Sequence, residues 1–569
     1  MSVRKVVVLG AGTMGAQVAA HAVAQGLDVV LLDLPSPAPD RNAVVRRALE
    51  AMKRLKPSPF HLAEHASQLR LGNFEDDLRE LEDADWVFEA VVEDLETKRK
   101  LFSTIAPHRK PAALVTTNTS GLGIAAMTSH LPVEFRRRFL GTHFFNPPRY
   151  LKLLETIPGP ETDPAALAAV ETFGDRVLGK GIVRCKDTPN FIANRIGSYG
   201  MGAALRAMQD LDLTIEDVDY LTGPAIGRAK SATFRTADIA GVDVCARVST
   251  HLYEALPNDP ERELLKVPAF LQAMVEKKWL GQKAGAGFYK KEGKEIKTLD
   301  WKALEYRERR KPAFPTMEAA RSVADVGARI NQILSGKDKA AEFLFRVLVG
   351  TSLYAASLVP EISDDVFSVD RAMEWGYGWG HGPFRMLDAL GVASVADRAK
   401  AAGRAVPPLV EKLLASGRKS FYVTEGASTT VFGPSGVAPL PERPGVVDLA
   451  RVKERGGLRK KNAGASLVDL GDGCALVEFH SKMNTLGQDT FAMLQSAVKE
   501  GRSNFDALVI GNQGEQFTVG ANLMLVLLAV QEEEWDEIGA SIRSFQDANM
   551  ALKYADIPVV AAPFGMTLG

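Results

Sequence analysis

The sequence predicts three parts: a doubly wound α/β domain, then all-helical units, then a second α/β domain that is incomplete. Three observations predict this. Short apolar runs alternate with amphipathic stretches over residues 1–186. A set of residues in the helical stretch after Pro189 recurs further along the chain. Alternation of strand and helix then resumes near Ala465. At 569 residues the chain is too long for one core, and three or four domains are expected. It is 46% apolar and 24% charged with a net charge of −1, the composition of an ordinary globular protein. No long basic run is present, so a nucleic-acid partner is not expected. Cys185, Cys245 and Cys474 lie far apart without ligand spacing. They argue for a reducing, cytoplasmic setting and against disulfides or a metal site. The first strand starts so early that no leader peptide is expected. The longest strongly apolar run, Leu523 to Val530, is too short to span a bilayer.

Taken in order, the first element is a buried strand at Val6–Leu9, followed at once by Gly10, Gly12 and Gly15 in a GxGxxG pattern. Met14 to Gln25 reads as a helix and Val29 to Leu32 as a second strand ending in Asp33. This is a βαβ unit of the Rossmann kind. Gly10 permits the tight turn, Gly12 lets a pyrophosphate approach the backbone, and Gly15 lets helix and strand pack closely. Thr13 and Met14 open the helix, whose N-terminal N–H groups and positive dipole end face the phosphates. Asp33 falls near the expected spacing of about 20 residues for a ribose-binding acid. Its carboxylate would repel a 2′-phosphate, so NAD is favoured over NADP.

Helix Asp40–Leu55, strand Trp86–Val92, helix Leu95–Ile105 and strand Ala113–Thr117 continue the alternation. The last runs into Asn118-Thr-Ser-Gly121. Strand candidates Arg138–Phe145 and Lys152–Ile157 follow, the second containing Glu155. Polar residues gather where such strands end: Glu93, Ser120, His143 and Asn146. That is where doubly wound sheets bind ligands. The set suits oxidation of an alcohol, in which a base takes the hydroxyl proton as hydride leaves for a nicotinamide. His143 is the natural base because imidazole titrates near neutrality, and a buried carboxylate such as Glu155 would fix its tautomer. On the residues alone, a hydrogen-bonded structural histidine remains the alternative.

Four motifs decide between these. Gly10-to-Gly15, Asn118-Thr-Ser-Gly121, His143-Phe-Phe-Asn-Pro147 with Glu155, and Lys186-Asp-Thr-Pro-Asn-Phe-Ile-Ala-Asn-Arg195 occur in order. Residues 1 to about 290 thereby resemble the L-3-hydroxyacyl-CoA dehydrogenases of fatty-acid β-oxidation. The resemblance implies NAD as cofactor and an acyl-CoA substrate. It implies His143 as base with Glu155 as partner, and Ser120 and Asn194 about the substrate's 3-oxygen. It places Glu93, Lys98, Ser120, Asn146 and Lys283 where the family contacts NAD. There are departures: Gly121 stands where the family often has a second serine, and the CoA contacts after Asp33 are not cleanly matched. Lys53, Arg54 and Lys56 are candidate phosphate contacts, a solvated helix face being the alternative.

From Pro189 long helices follow, Phe191–Met208 carrying Asn194. Val218-Asp219, Phe234, Asp238, Gly241 and Val242 recur as Val369-Asp370, Phe384, Asp388, Gly391 and Val392. Two copies of one helical unit are expected at 187–290 and 338–400, with 291–337 a connection and 401–463 a linker. In the family such a pairing replaces a dimer contact, which implies a monomer or weak homodimer. Trp375 to Pro383 reads mainly as a packed turn between helices.

Residues 464–569 resemble the first half of the enoyl-CoA hydratase/isomerase (crotonase) fold. The resemblance makes the Val519 N–H one oxyanion donor, with the second in a glycine turn that Thr567-Leu568-Gly569 begins. It implies that the chain stops short of the hydratase carboxylates. The whole resembles multifunctional β-oxidation proteins in which the dehydrogenase precedes the hydratase, with a thiolase as a further partner. A bifunctional hydratase/dehydrogenase, a non-catalytic binding scaffold and a dehydrogenase of non-CoA hydroxy acids stand as the alternatives.

Overall fold

Val6 to Leu9 and Val29 to Leu32 are almost wholly buried, because the sheet they enter is covered on both faces. The computed structural model describes residues 3–426, 428–442 and 445–569. Its first sheet has eight strands in the order β3-β2-β1-β4-β5-β6-β7-β8. They are β1 (Lys5–Leu9), β2 (Asp28–Asp33), β3 (Arg70–Asn73), β4 (Trp86–Glu89), β5 (Leu114–Thr117), β6 (Phe139–Phe144), β7 (Leu153–Pro158) and β8 (Gly181–Arg184). Strands β1 to β6 are parallel, β7 runs antiparallel to β6, and β8 is parallel to β7. The order reverses at β1 and β4, the point at which open α/β sheets take ligands. Val6, Val8, Val29 and Leu31 face one core with helix α1 (Thr13–Val23); Val7, Leu9, Val30 and Leu32 face the other. The strand expected to run from Trp86 to Val92 ends at Glu89, whose carboxylate accepts from the Val91 N–H at 2.7 Å and turns the chain.

Helix α2 (Ala43–Arg54) buries Val45, Leu49 and Met52. Helix α3 (Leu95–Ile105) is started by Asp94, whose side chain accepts from Thr97 N–H. Beyond β8 the helices begin with α4 (Ala193–Asp210). Asn190 and Phe191, immediately before it, have φ of 59° and 53°. A bulky residue in the left-handed region costs about 1–3 kcal/mol and persists only where its surroundings enforce it.

The repeat is built on two aspartates per copy. In the first copy, Asp219 of α5 (Ile215–Leu221) accepts from the N–H groups of Phe234 and Arg235 at 2.6 and 3.3 Å and from Tyr289 Oη at 2.7 Å. Asp238, on α6 (Phe234–Ala240), accepts from the N–H groups of Phe288 and Tyr289 at 2.8 and 2.9 Å. In the second copy, Asp370 of α7 (Val366–Gly376) takes Phe384 N–H, Arg385 N–H and Tyr422 Oη at 2.8, 3.2 and 2.7 Å. Asp388, on α8 (Pro383–Leu390), takes Phe421 and Tyr422 N–H at 2.6 and 2.9 Å.

This corrects two sequence expectations. The second copy does not stop at residue 400: α9 (Pro408–Ala415) buries Leu409, Val410 and Leu413, and the repeated contacts run to Tyr422. The span expected to be a linker from 401 therefore starts inside packed structure; its Ala427, Arg443 and Pro444 lie outside the described residues. The expected connection at 291–337 opens with a three-stranded antiparallel sheet, Tyr289–Glu292, Glu295–Asp300 and Glu305–Arg307, with Leu299 fully buried. Lysine-rich edges conceal that sheet in the sequence.

Residues 3–422 with 431–438 form one compact unit, and 423–430 with 439–569 form another. The second unit holds a five-stranded sheet, Leu458–Lys461, Ala465–Gly471, Cys474–Phe479, Ala507–Gly511 and Val559–Ala561 in that order. Its core includes Leu467, Val477, Phe491, Leu494 and Leu508. Thr518–Val519 pairs in parallel with Thr567–Leu568, so Val519 lies opposite Leu568. Helix Leu523–Gln531 buries none of its residues. Among the described residues no helix is long and apolar enough to cross a membrane.

Candidate active site

The reversal between β6 and β7 makes His143 and Glu155 register partners, so both side chains leave the same face of the sheet. His143 Nδ1 lies 2.7 Å from Glu155 Oε2. Their side chains are only 5% and 0% exposed. The carboxylate accepts at Nδ1, so Nδ1 carries the proton and Nε2 is left as the basic nitrogen. Phe145 and Phe191 flank the imidazole, with ring centroids at 4.6 and 5.9 Å.

Glu155 has a second task. Its Oε1 accepts from Ala193 N–H at 2.8 Å and Ile192 N–H at 3.3 Å, at the start of α4. A buried carboxylate needs such donors, and a helix N-terminus favours its charge. The left-handed Asn190 and Phe191 deliver these two N–H groups. The same carboxylate thus joins the sheet's histidine to the helix that bears Asn194.

A second cluster sits at the ends of β4 and β5. Glu93 Oε1 accepts from Thr119 Oγ1 at 2.6 Å and from Ser120 N–H at 2.7 Å. Lys98 on α3 is buried and pairs with Glu89 at 2.7 Å and with Glu93 at 3.4 Å. Glu89 also accepts from Thr117 Oγ1 at 2.5 Å. Sequence reasoning missed Glu89, although an acid closing an apolar strand is a visible signal. Asn118 Oδ1 accepts from Phe144 N–H at 2.9 Å and ties β5 to the histidine strand. Asn146 Oδ1 accepts from Gln17 Nε2 of α1 at 3.1 Å. Lys180, whose ammonium holds the Pro148 and Leu151 carbonyls, fixes the loop between; burial brings its pKa down to about 8.

The nucleotide end fits the cofactor its motif implies. Gly10 has φ +103°, and a Cβ there would meet the Ala90 carbonyl at 2.6 Å. A Cβ at Gly15 would lie 1.9 Å from the Gly10 carbonyl oxygen, whereas one at Gly12 would meet open space. Gly12 and Thr13 are exposed, Met14 is half-buried, and no side chain caps the helix, so the α1 N–H groups face that space. Asp33 ends β2 and accepts from Ala11 N–H at 2.5 Å.

Two predicted residues take partners within the helical copies. Lys283 pairs with Asp243 at 2.6 Å rather than with the strand-end acids. Asn194 Oδ1 accepts from Tyr377 Oη at 3.1 Å. Tyr377 belongs to the second helical copy and was read in the sequence only as part of a packed turn. Gly121 also finds its reason: a Cβ there would lie 2.2 Å from Asn190 Oδ1, so a serine would collide. Lys53 pairs with Glu50 on the exposed side of α2 at 2.7 Å.

Fold and site together define a nicotinamide-dependent oxidoreductase built from a Rossmann domain and a helical partner. The family model for the 3-hydroxyacyl-CoA dehydrogenase NAD binding domain matches residues 5–188, and that for the C-terminal domain matches 191–291. A "Probable 3-hydroxyacyl-CoA dehydrogenase" of Bacillus subtilis (strain 168) is 43% identical over all of this chain and 74% of its own length. A "Putative fatty acid oxidation complex trifunctional enzyme" of Rickettsia felis is 30% identical over all of this chain and 75% of its own. The solved 3-hydroxybutyryl-CoA dehydrogenase of Escherichia coli K12 has a TM-score of 0.54 at 22% identity, covering 73% of this chain and 100% of its own, a likeness of fold. The chain belongs to the 3-hydroxyacyl-CoA dehydrogenase family. It is accordingly an NAD-dependent dehydrogenase of the fatty-acid β-oxidation type.

Proposed function

We propose that the chain oxidises (S)-3-hydroxyacyl-CoA to 3-oxoacyl-CoA, with His143 as general base and Glu155 as its partner. The observation that carries this is the buried 2.7 Å pair of His143 Nδ1 and Glu155 Oε2 across antiparallel strands. His143 Nε2 takes the hydroxyl proton. Glu155 holds the tautomer and offsets the imidazolium charge that forms. Such general-base catalysis contributes about 10²–10⁴ in rate. Ser120 and Asn194 position the substrate oxygen. Gly10, Gly12, Thr13, Met14 and Gly15 hold the NAD pyrophosphate. Asp33 takes the ribose hydroxyls; Glu93, Lys98, Ser120, Asn146 and Lys283 complete the nucleotide side. NAD, when bound, supplies the hydride acceptor.

The setting we propose is cytoplasmic, as a monomer or weak homodimer, with a thiolase consuming the product. A second activity, hydration of enoyl-CoA, is supported by the pairing of Val519, the expected first oxyanion donor, with Leu568 in the region that resembles the crotonase fold.

The test is absorbance at the NADH band with NAD⁺ and 3-hydroxyacyl-CoA of several chain lengths. Wild-type turnover with a loss of about 10²–10⁴-fold in His143→Ala is the expected result. A variant that matches wild type would remove His143 from the mechanism. Absence of turnover with every acyl-CoA, despite NAD⁺ binding, would overturn the substrate.

A further inference from the structure

We infer that Tyr377, supplied by the second helical copy, is a positioning residue of the dehydrogenase site. It orients the Asn194 amide and walls the cleft beside the imidazole. The inference rests on the function proposed above. Its geometry is specific. The Tyr377 hydroxyl donates to Asn194 Oδ1 at 3.1 Å. An amide carries its oxygen and its nitrogen on opposite sides. Engaging Oδ1 therefore turns the Nδ2–H groups away from the tyrosine and makes them the donors available to an oxygen in the cleft.

The fit around the ring is close. A Cβ at Gly197, on the face of α4 one turn beyond Asn194, would lie 2.2 Å from Tyr377 Cζ. The tyrosine reaches Asn194 only because residue 197 has no side chain. The ring meets Phe145 edge-on at 6.3 Å, and Phe145 itself lies 4.6 Å from the His143 ring. Tyr377 thus touches the site on two sides, through an amide and through an aromatic neighbour. It remains 37% exposed, so part of the ring borders open space.

The segment before it is clamped, which gives the hydroxyl a fixed address. A Cβ at Gly181 of β8 would meet the Trp375 ring at 2.3 Å, and one at Gly376 would meet Leu153 of β7 at 2.6 Å. The Lys152 ammonium lies over the Trp375 ring at 4.6 Å. The second copy is therefore seated on the two strands that complete the histidine's sheet, and its next residues reach the asparagine.

Removing only the hydroxyl keeps this packing, so Tyr377→Phe is the test. Expected are a fall in kcat of about tenfold, KM for the acyl-CoA and Kd for NAD⁺ within twofold of wild type, and an unchanged melting temperature. The discriminating measurement is a double-mutant cycle with Asn194→Ala, repeated with Asn194→Ser in case the alanine variant does not accumulate. With Asn194 absent, Tyr377→Phe should cost nothing further. A tyrosine effect that persists in full in that background would assign it a role independent of the amide and overturn the inference. So would a Tyr377→Phe enzyme as fast as wild type. Both results require an active wild type. Lack of wild-type turnover would overturn the proposed function, and this inference with it.

Discussion

The two helical copies share a frame and differ at its edge. Asp219 with Tyr289 and Asp370 with Tyr422 make the same three contacts, and Asp238 and Asp388 the same two. In each copy a carboxylate gathers backbone N–H groups from a neighbouring helix start, an arrangement that no apolar packing could replace. What differs is the polar group that each copy brings to the sheet. The first begins with α4, whose N–H groups close on Glu155 and which carries Asn194. The second grips the sheet through Trp375 and reaches in with Tyr377. The copies share the buried polar frame, and the second adds a turn that reaches Asn194.

The largest effect that would sharpen this contrast lies on the first copy's link to the sheet. Glu155→Gln preserves shape but removes the charge held by Ala193 N–H and His143. We expect kcat to fall on the order of 10²-fold, and the amides at the start of α4 to lose hydrogen-exchange protection. The equivalent change at the second copy's link to the sheet, Lys152→Met against Trp375, should alter kcat less than threefold. Equal effects of the two would erase the distinction.

A smaller effect tests whether the frames are equivalent. Asp219→Ala and Asp370→Ala each strand two backbone donors and a tyrosine hydroxyl, and each should cost about 1–3 kcal/mol in chemical denaturation. A cost confined to one copy would show that the other frame is ornamental.

The smallest effect is a difference in pH response. Burial pushes the Asp219 carboxyl up to about 6, and burial with the nearby Glu374 charge pushes Asp370 up to about 8. A raised carboxyl favours the folded state in its protonated form. That contribution is fully present below the ordinary carboxylate value and is lost as pH rises through the folded one. Protection of the Phe384 and Arg385 amides should therefore keep falling between pH 6 and 8, after that of Phe234 and Arg235 has levelled. Asp370→Asn should abolish the extra slope; a slope that survives it would locate the titration elsewhere.

Much of this was legible in the chain. Gly10 and Gly15 are dictated locally, since backbone lies where their side chains would be. The buried strands declare themselves by unbroken apolar runs, and the aspartates of the repeat by their spacing. His143 and Glu155 could be nominated by residue type and interval. Their pairing needed the antiparallel turn of β7, because strand direction leaves no mark in an alternating pattern. Glu155's hold on α4, Lys98's choice of Glu89, and Asn190's exclusion of a side chain at Gly121 are contacts between segments distant in sequence. So is the Tyr377–Asn194 bond, which spans 183 residues. Local chemistry determined which residues could act and which cofactor they suit. Only tertiary packing decided which of them meet, because a hydrogen bond is set by the positions of both partners and a sequence specifies each of them separately.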